Sequence, residues 1–257
     1  MATALVTGAT AGIGEAFTRL LAAKGYDLIL VARDTKRLQE RASILIDTYQ
    51  IKVEVLPADL AIPAQLEKVQ ARLSEIKRPV DVLINNAGFG IKDSFLQSQI
   101  SDEILLLDVL TKAPMQLTHA ILPQMLARDS GIIINVSSVA SFIAGGTYSA
   151  AKAYLTVHTE SLHAELAKTN IKISALCPGF THTEFHQRGK MKMSSLPNFM
   201  WLEADRVVAD SWRTTMAGKA ICIPGWQYKI LSTIARFGPR PLIRRVGIKV
   251  RMGQRAK

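Results

Sequence analysis

The chain has 257 residues, 48% of them hydrophobic, enough for a sizeable buried core, which excludes a disordered protein. It carries 32 Lys and Arg against 21 Asp and Glu, but the excess is local: residues 211–257 hold 11 of the basic side chains and no acidic one, leaving 21 of each sign before them. Two cysteines, Cys177 and Cys222, are too few for a disulfide framework or a zinc cluster, so a reducing, cytoplasmic setting is expected. No apolar run approaches the ~18 residues of a membrane span, and no basic stretch with an apolar block marks an export signal.

Short apolar runs of strand length alternate with longer amphipathic stretches. In chain order the strands are expected at Ala4 to Thr7, Leu28 to Ala32, Val53 to Leu56, Val82 to Asn85, Ile132 to Ser137, Ile173 to Cys177 and Ile221 to Ile223. Intervening segments such as Ile13 to Lys24 and Tyr148 to Lys168 have the period and length of crossover helices. Continuous apolar strands separated by helices predict an α/β fold, a single doubly wound domain with a seven-stranded parallel sheet over residues 1–225. Two stretches depart from this rhythm: a variable segment at about 184–204, and a basic tail at 226–257.

Thr7-Gly8-Ala9-Thr10-Ala11-Gly12-Ile13-Gly14 joins the first strand to the first helix, where bare N–H groups and the helix dipole favour a pyrophosphate. Glycine is required where a β-carbon would hold the backbone away from phosphates. The second strand ends in Ala32-Arg33-Asp34, about 19 residues past Gly14, with Lys36 and Arg37 close by. A basic residue there suits a ribose 2'-phosphate, so NADP(H) is preferred and NAD(H) is the alternative; Asp34 is either a helix cap or an acid for the free 2'-hydroxyl. Tyr148 and Lys152 lie four apart near a helix start, hence on one face, where an ammonium favours the phenolate of a phenol with a pKa near ~10. Ser137-Ser138, at the end of the fifth strand, adds a hydroxyl able to hold a carbonyl oxygen.

Taken in order, Thr7 to Gly14, Asp59-Leu60, Asn85-Asn86-Ala87-Gly88, Ser137-Ser138, Tyr148-x-x-x-Lys152 and Cys177 to Thr183 resemble the motifs of the short-chain dehydrogenase/reductase family, over about residues 1 to 225. The resemblance implies a Rossmann-type sheet, a nicotinamide cofactor and hydride transfer between a carbonyl and an alcohol. It implies that Tyr148 is the proton donor, that Ser138 orients the carbonyl oxygen, and that Lys152 tunes Tyr148 and meets the nicotinamide ribose. Gly8, Thr10, Gly12, Ile13 and Gly14 would hold the phosphates, Asp59 would meet the adenine, and Leu60 beside it would also line the cofactor site. Asn86, Ala87 and Gly88 would meet the adenosine ribose region, and Pro178, Gly179, Phe180, Thr181 and Thr183 the nicotinamide and pyrophosphate. The family pattern also implies a homodimer or homotetramer.

Two departures stand out. Where the family usually carries an Asn that supports a water beside the lysine, this chain has Leu110, in Val109-Leu110-Thr111-Lys112-Ala113-Pro114. Ser138 and Tyr148 are only ten apart, a short spacing, and alternation along a strand forbids Ser137 and Ser138 from sharing one direction. These departures motivate an alternative: a catalytically impaired, cofactor-binding regulatory protein or scaffold. His158 and His163, five apart, are about 140° off a common helix face, so no metal site is expected there.

Met191, Met193, Phe199, Met200 and Trp201 offer an adaptable apolar wall for a hydrophobic substrate, or else pack against the body. In the tail, Trp226, Ile230, Ile234 and Phe237 fall within an arc of about 80° at helical spacing. Gly238-Pro239 breaks that helix before a second stripe of Leu242, Ile243, Val246 and Val250. Such basic amphipathic segments suit peripheral contact with an anionic membrane; equally, they suit docking on the catalytic domain or on a neighbouring subunit. No nucleic-acid recognition motif accompanies the charge.

Overall fold

The computed structural model describes residues 2–185, 197–239, 241 and 243. Seven strands form one parallel sheet: β1 (Thr3–Thr7), β2 (Asp27–Ala32), β3 (Val53–Pro57), β4 (Val82–Asn85), β5 (Gly131–Val136), β6 (Ile171–Leu176) and β7 (Ile221–Cys222). Their order across the sheet is β3-β2-β1-β4-β5-β6-β7. The chain steps outward from β1 to β3, then jumps back to lay β4 on the other side of β1. This reversal opens a crevice at the carboxyl ends of β1 and β4, where a doubly wound sheet binds ligands.

Alternation along the buried strands builds two cores. Ala4, Val6, Leu28, Leu30, Val82 and Ile84 face one layer, while Leu5, Ile29, Val31, Leu83, Ile133 and Ile173 face the other. The first face is covered by helices α1 (Gly12–Ala23) and α2 (Thr35–Tyr49), and by α7 (Ala204–Met216) through Val207 and Val208. The second is covered by α3 (Pro63–Leu73) and α5 (Ala113–Arg128) through Leu66, Val69, Leu117 and Ile121. α4 (Ile100–Leu107) leads into a π-helical turn, Asp108–Lys112, before α5, and α6 (Thr147–Glu165) follows β5.

Local signals set several boundaries. Proline opens α3 at its first position, and the Asp34 carboxylate caps α2 by accepting from Arg37 N at 3.0 Å. Asp34 thus fills the helix-cap role expected for it. β5 and β6 begin and end earlier than their apolar runs suggest, so Ser137 and Cys177 sit just past the strand ends. There, Ser137 N and Cys177 N still bond to the neighbouring strands' Leu176 O and Cys222 O.

The last described helix, α8 (Trp226–Phe237), ends before Gly238-Pro239. Its stripe of Trp226, Ile230, Ile234 and Phe237 does not dock on the catalytic domain: these four side chains are exposed, and the helix packs through Gln227, Tyr228 and Ser232 instead. Ile243 is buried beyond the break, while Leu242, Val246 and Val250 lie outside the described residues.

Candidate active site

The crevice is framed by two turns braced against each other. Thr7 Oγ1 accepts from Asn86 N at 2.9 Å and from Ala87 N at 3.0 Å, and Asn86 Nδ2 donates to Thr7 O and Gly8 O. Gly8 and Gly12 adopt φ of +66° and +56°, and a β-carbon on Gly14 would lie 2.2 Å from Gly8 O. No side chain caps the first turn of α1. Backbone packed this closely, with uncapped N–H groups at a helix start, fits a pyrophosphate. Thr183 lies over the same turn, its Cβ 2.9 Å from where a β-carbon on Gly12 would stand. Ile13 packs beside the core and Thr10 is buried.

At the sheet's other carboxyl ends, Arg33 is largely exposed and lies 3.9 Å from Asp59 Oδ2, so the two adenosine-side residues expected from sequence are neighbours. Leu60 is buried in the core. Arg37, near α2's start, donates two bonds to Glu184 at 3.0 and 3.2 Å and one to Thr10 O at 3.3 Å. The Glu184 hydrogen bond raises the Arg37 pKa further. This tie between the glycine-rich turn and the segment after β6 joins residues 147 apart, and only the charge cluster at 33–37 hinted at it.

On α6, Tyr148 and Lys152 face one another, the ammonium 5.8 Å from the Tyr148 ring centroid. Lys152 Nζ donates to Val136 O at 2.7 Å. Its burial lowers its pKa from 10.5 to about 8. Phe185 lies beside the site, its ring 6.0 Å from that of Tyr148. The two serines divide as strand alternation requires. Ser137 is buried, donating to Lys152 O at 2.8 Å and sharing a 2.7 Å bond with Thr156 Oγ1. Ser138 is half-buried, and its Oγ accepts from Ala140 N at 3.1 Å, capping the 3-10 turn Val139–Phe142 that leads toward Tyr148.

Leu110 is buried in the π-helical turn, its Cδ2 only 2.8 Å from a β-carbon placed on Gly88. A cavity of about 10 Å³ remains between Leu110, Thr7, Asn85, Val136 and Lys152. Burial pushes the Cys177 thiol up to about 11, which keeps it a protonated core residue. Among the described residues, no three His, Cys, Asp or Glu side chains are grouped to hold a metal ion. His163 Nδ1 instead meets Ile173 O at 3.1 Å, and His158 stacks on Tyr154.

Beyond β6, Gly179 is essential to the packing, because a β-carbon there would fall 2.0 Å from the Tyr228 ring. The Tyr228 hydroxyl accepts from Phe180 N at 2.9 Å and donates to Met200 O, tying the chain just before the variable segment to a residue within it. Pro178 O accepts from Val139 N, and Thr181 bridges to Leu202. Trp201 stacks on His182 and Phe199 is exposed; Met191 and Met193 lie outside the described residues. Sequence reasoning missed Tyr228, because nothing local ties it to Gly179.

The profile of the family described as short chain dehydrogenase matches residues 2–193. The chain belongs to that family. Among short-chain dehydrogenase relatives, it is 32% identical to an uncharacterised oxidoreductase of Staphylococcus saprophyticus over 183 residues, 70% of this chain and 78% of the relative. A short-chain dehydrogenase from Sphingobium yanoikuyae, solved in complex with NADPH, superposes with a TM-score of 0.84 at 32% identity, over 91% of this chain and 93% of that one. A bulky-bulky ketone specific alcohol dehydrogenase from Comamonas testosteroni superposes with a TM-score of 0.80 at 28% identity, over 95% and 96%. This short-chain dehydrogenase is therefore an oxidoreductase with a Rossmann-type sheet for a nicotinamide dinucleotide.

Proposed function

We propose that the protein is an NADP(H)-dependent reductase or dehydrogenase acting on a hydrophobic ketone, aldehyde or alcohol. The observation that carries the reading is the buried Lys152 ammonium, held by Val136 O and set against the Tyr148 ring one helical turn away. When bound, the nicotinamide supplies or accepts the hydride. Tyr148 gives the carbonyl oxygen its proton, Ser138 hydrogen-bonds that oxygen, and Lys152 stabilises the phenolate left behind. Ser137 stays in the core and holds Lys152's own backbone. Gly8 to Gly14 cradle the pyrophosphate, with Thr183 alongside, and Asn86 to Gly88 wall the ribose.

NADP(H) is favoured because Arg33 projects into solvent at the end of β2, while Asp34 is occupied as a cap. The Sphingobium relative's NADPH supports the same preference. A hydrophobic substrate is supported by the apolar Phe185, Phe199 and Trp201, and by the ketone specificity for which the Comamonas enzyme is named. A homo-oligomer is supported by the exposed Ile100, Ile104 and Leu107 on α4, an apolar face that a second copy would cover. The setting is cytoplasmic, in keeping with two buried free thiols.

The test is turnover with NADPH and a panel of apolar carbonyls, followed at the nicotinamide absorbance. Tyr148→Phe is expected to lower kcat by on the order of 10²–10⁴ while NADPH affinity stays unchanged. Tight NADPH binding with no turnover on a broad panel would overturn this reading in favour of the regulatory alternative.

A further inference from the structure

α8 turns its more polar side inward. Gln227, Tyr228 and Ser232 are buried, whereas Trp226 is 66% exposed, Ile230 52%, Ile234 54% and Phe237 83%. An amphipathic helix completed by its own domain would bury that stripe, so these four side chains form a face that the body leaves uncovered. Phe199, also exposed, is carried beside the start of the helix, because Gln227 Nε2 donates to Phe199 O at 2.9 Å.

The charge of the sequence from α8 onward points to the occupant. No acidic residue occurs after position 210, and residues 226–257 carry nine basic ones. Of the two on α8, Arg236 faces Glu160 at 3.6 Å and lies over the Phe142 ring, while Lys229 flanks the stripe. A second copy docked on this face would bring two acid-free basic tails together, which repel. An anionic lipid surface instead attracts each basic residue and accepts the apolar stripe. At 12 residues, α8 is about 18 Å long, too short to cross a bilayer but suited to lying in its surface. Among the described residues, no helix is long and apolar enough to span a membrane.

We propose that the Trp226, Ile230, Ile234 and Phe237 face of α8 seats the enzyme on an anionic membrane surface and brings the mouth of its substrate cleft to that surface. The link to the cleft is Phe142, which lies beneath Arg236 in the turn between Ser138 and Tyr148. Resting on the reading of an apolar carbonyl substrate, this arrangement lets the substrate pass from bilayer to cleft with little exposure to water.

The test uses the full chain and vesicles of phosphatidylcholine alone or mixed equally with phosphatidylglycerol. Wild type is expected to co-sediment with the mixed vesicles only, and to weaken in high salt. The combined variant Ile230→Ser, Ile234→Ser, Phe237→Ser should bind at least tenfold less, with its thermal midpoint and NADPH affinity retained because all three side chains are exposed. Mixed vesicles should also lower the KM of a bilayer-partitioning ketone and leave that of a water-soluble ketone unaltered. No binding by wild type, equal binding by the variant, or a variant that changes oligomeric mass instead of vesicle binding would each overturn the proposal. Turnover of the water-soluble ketone without vesicles tests the reductase reading separately: its loss alongside intact vesicle binding would remove the enzyme assignment and leave the surface assignment standing.

Discussion

Replacing Lys152 by Met is expected to stabilise the folded protein at neutral pH while abolishing turnover, in a manner that depends on pH. In the native state, burial lowers the Lys152 pKa from 10.5 to about 8. That fall corresponds to about 3 kcal/mol of instability for the charged form at pH 7. The folded pKa lies below the unfolded one, so between pH 8 and 10.5 the unfolded chain binds more protons. Wild-type stability from this group therefore rises with pH through that window, and the penalty is gone above it. Methionine fills similar space with no charge, but leaves Val136 O without its 2.7 Å donor, a loss of about 1–2 kcal/mol. The net expectation is a variant more stable than wild type by about 1–2 kcal/mol at pH 7. Urea unfolding of both proteins at pH 7 and pH 10 reads the effect, and the difference between them should shift against the variant by about 2–3 kcal/mol at the higher pH. The same difference at both pH values would refute the buried-ammonium reasoning, whatever the variant does to activity.

Arg33→Ala is expected to weaken NADPH binding by about 1–3 kcal/mol and barely alter NADH binding; equal losses in a fluorescence titration would show that Arg33 does not meet a 2'-phosphate. Ser138→Ala should lower kcat by on the order of 10²–10³, whereas Ser137→Ala should chiefly lower the unfolding midpoint, since its hydroxyl serves Lys152 O and Thr156 in the core. The opposite pattern in steady-state kinetics would exchange their roles. Tyr228→Phe should destabilise the protein by about 1–3 kcal/mol, because Phe180 N and Met200 O lose their shared partner, and should raise the KM for apolar substrates. An unaltered midpoint and KM would show that the variable segment is held by other contacts.

Much of the architecture was legible in sequence because its signals are short-range. Apolar runs such as Leu28 to Ala32 and Val82 to Asn85 have the length and composition of strands covered on both faces, and Gly8, Gly12 and Gly14 sit where a backbone turn leaves no room for a β-carbon. The spacing of Tyr148 and Lys152 likewise placed both on one face of α6, since helical rotation is local geometry. Residue type alone did not separate Ser137 from Ser138: that depended on where β5 ends and on Thr156 and Lys152, which approach from another helix.

The orientation of α8 shows the same boundary most clearly. Its periodicity correctly marked Trp226, Ile230, Ile234 and Phe237 as one stripe, but helical spacing groups side chains on a face without deciding which face finds a partner. The partner is supplied by the space above Gly179, left by a missing side chain 49 positions earlier and occupied by the Tyr228 ring. Filling that space, and satisfying Phe180 N and Met200 O from one hydroxyl, turns the helix so that its apolar stripe looks outward. Strand and helix periods are properties of neighbouring residues and can be read from sequence; the fit of one side chain into a distant void comes into being only when the chain has folded.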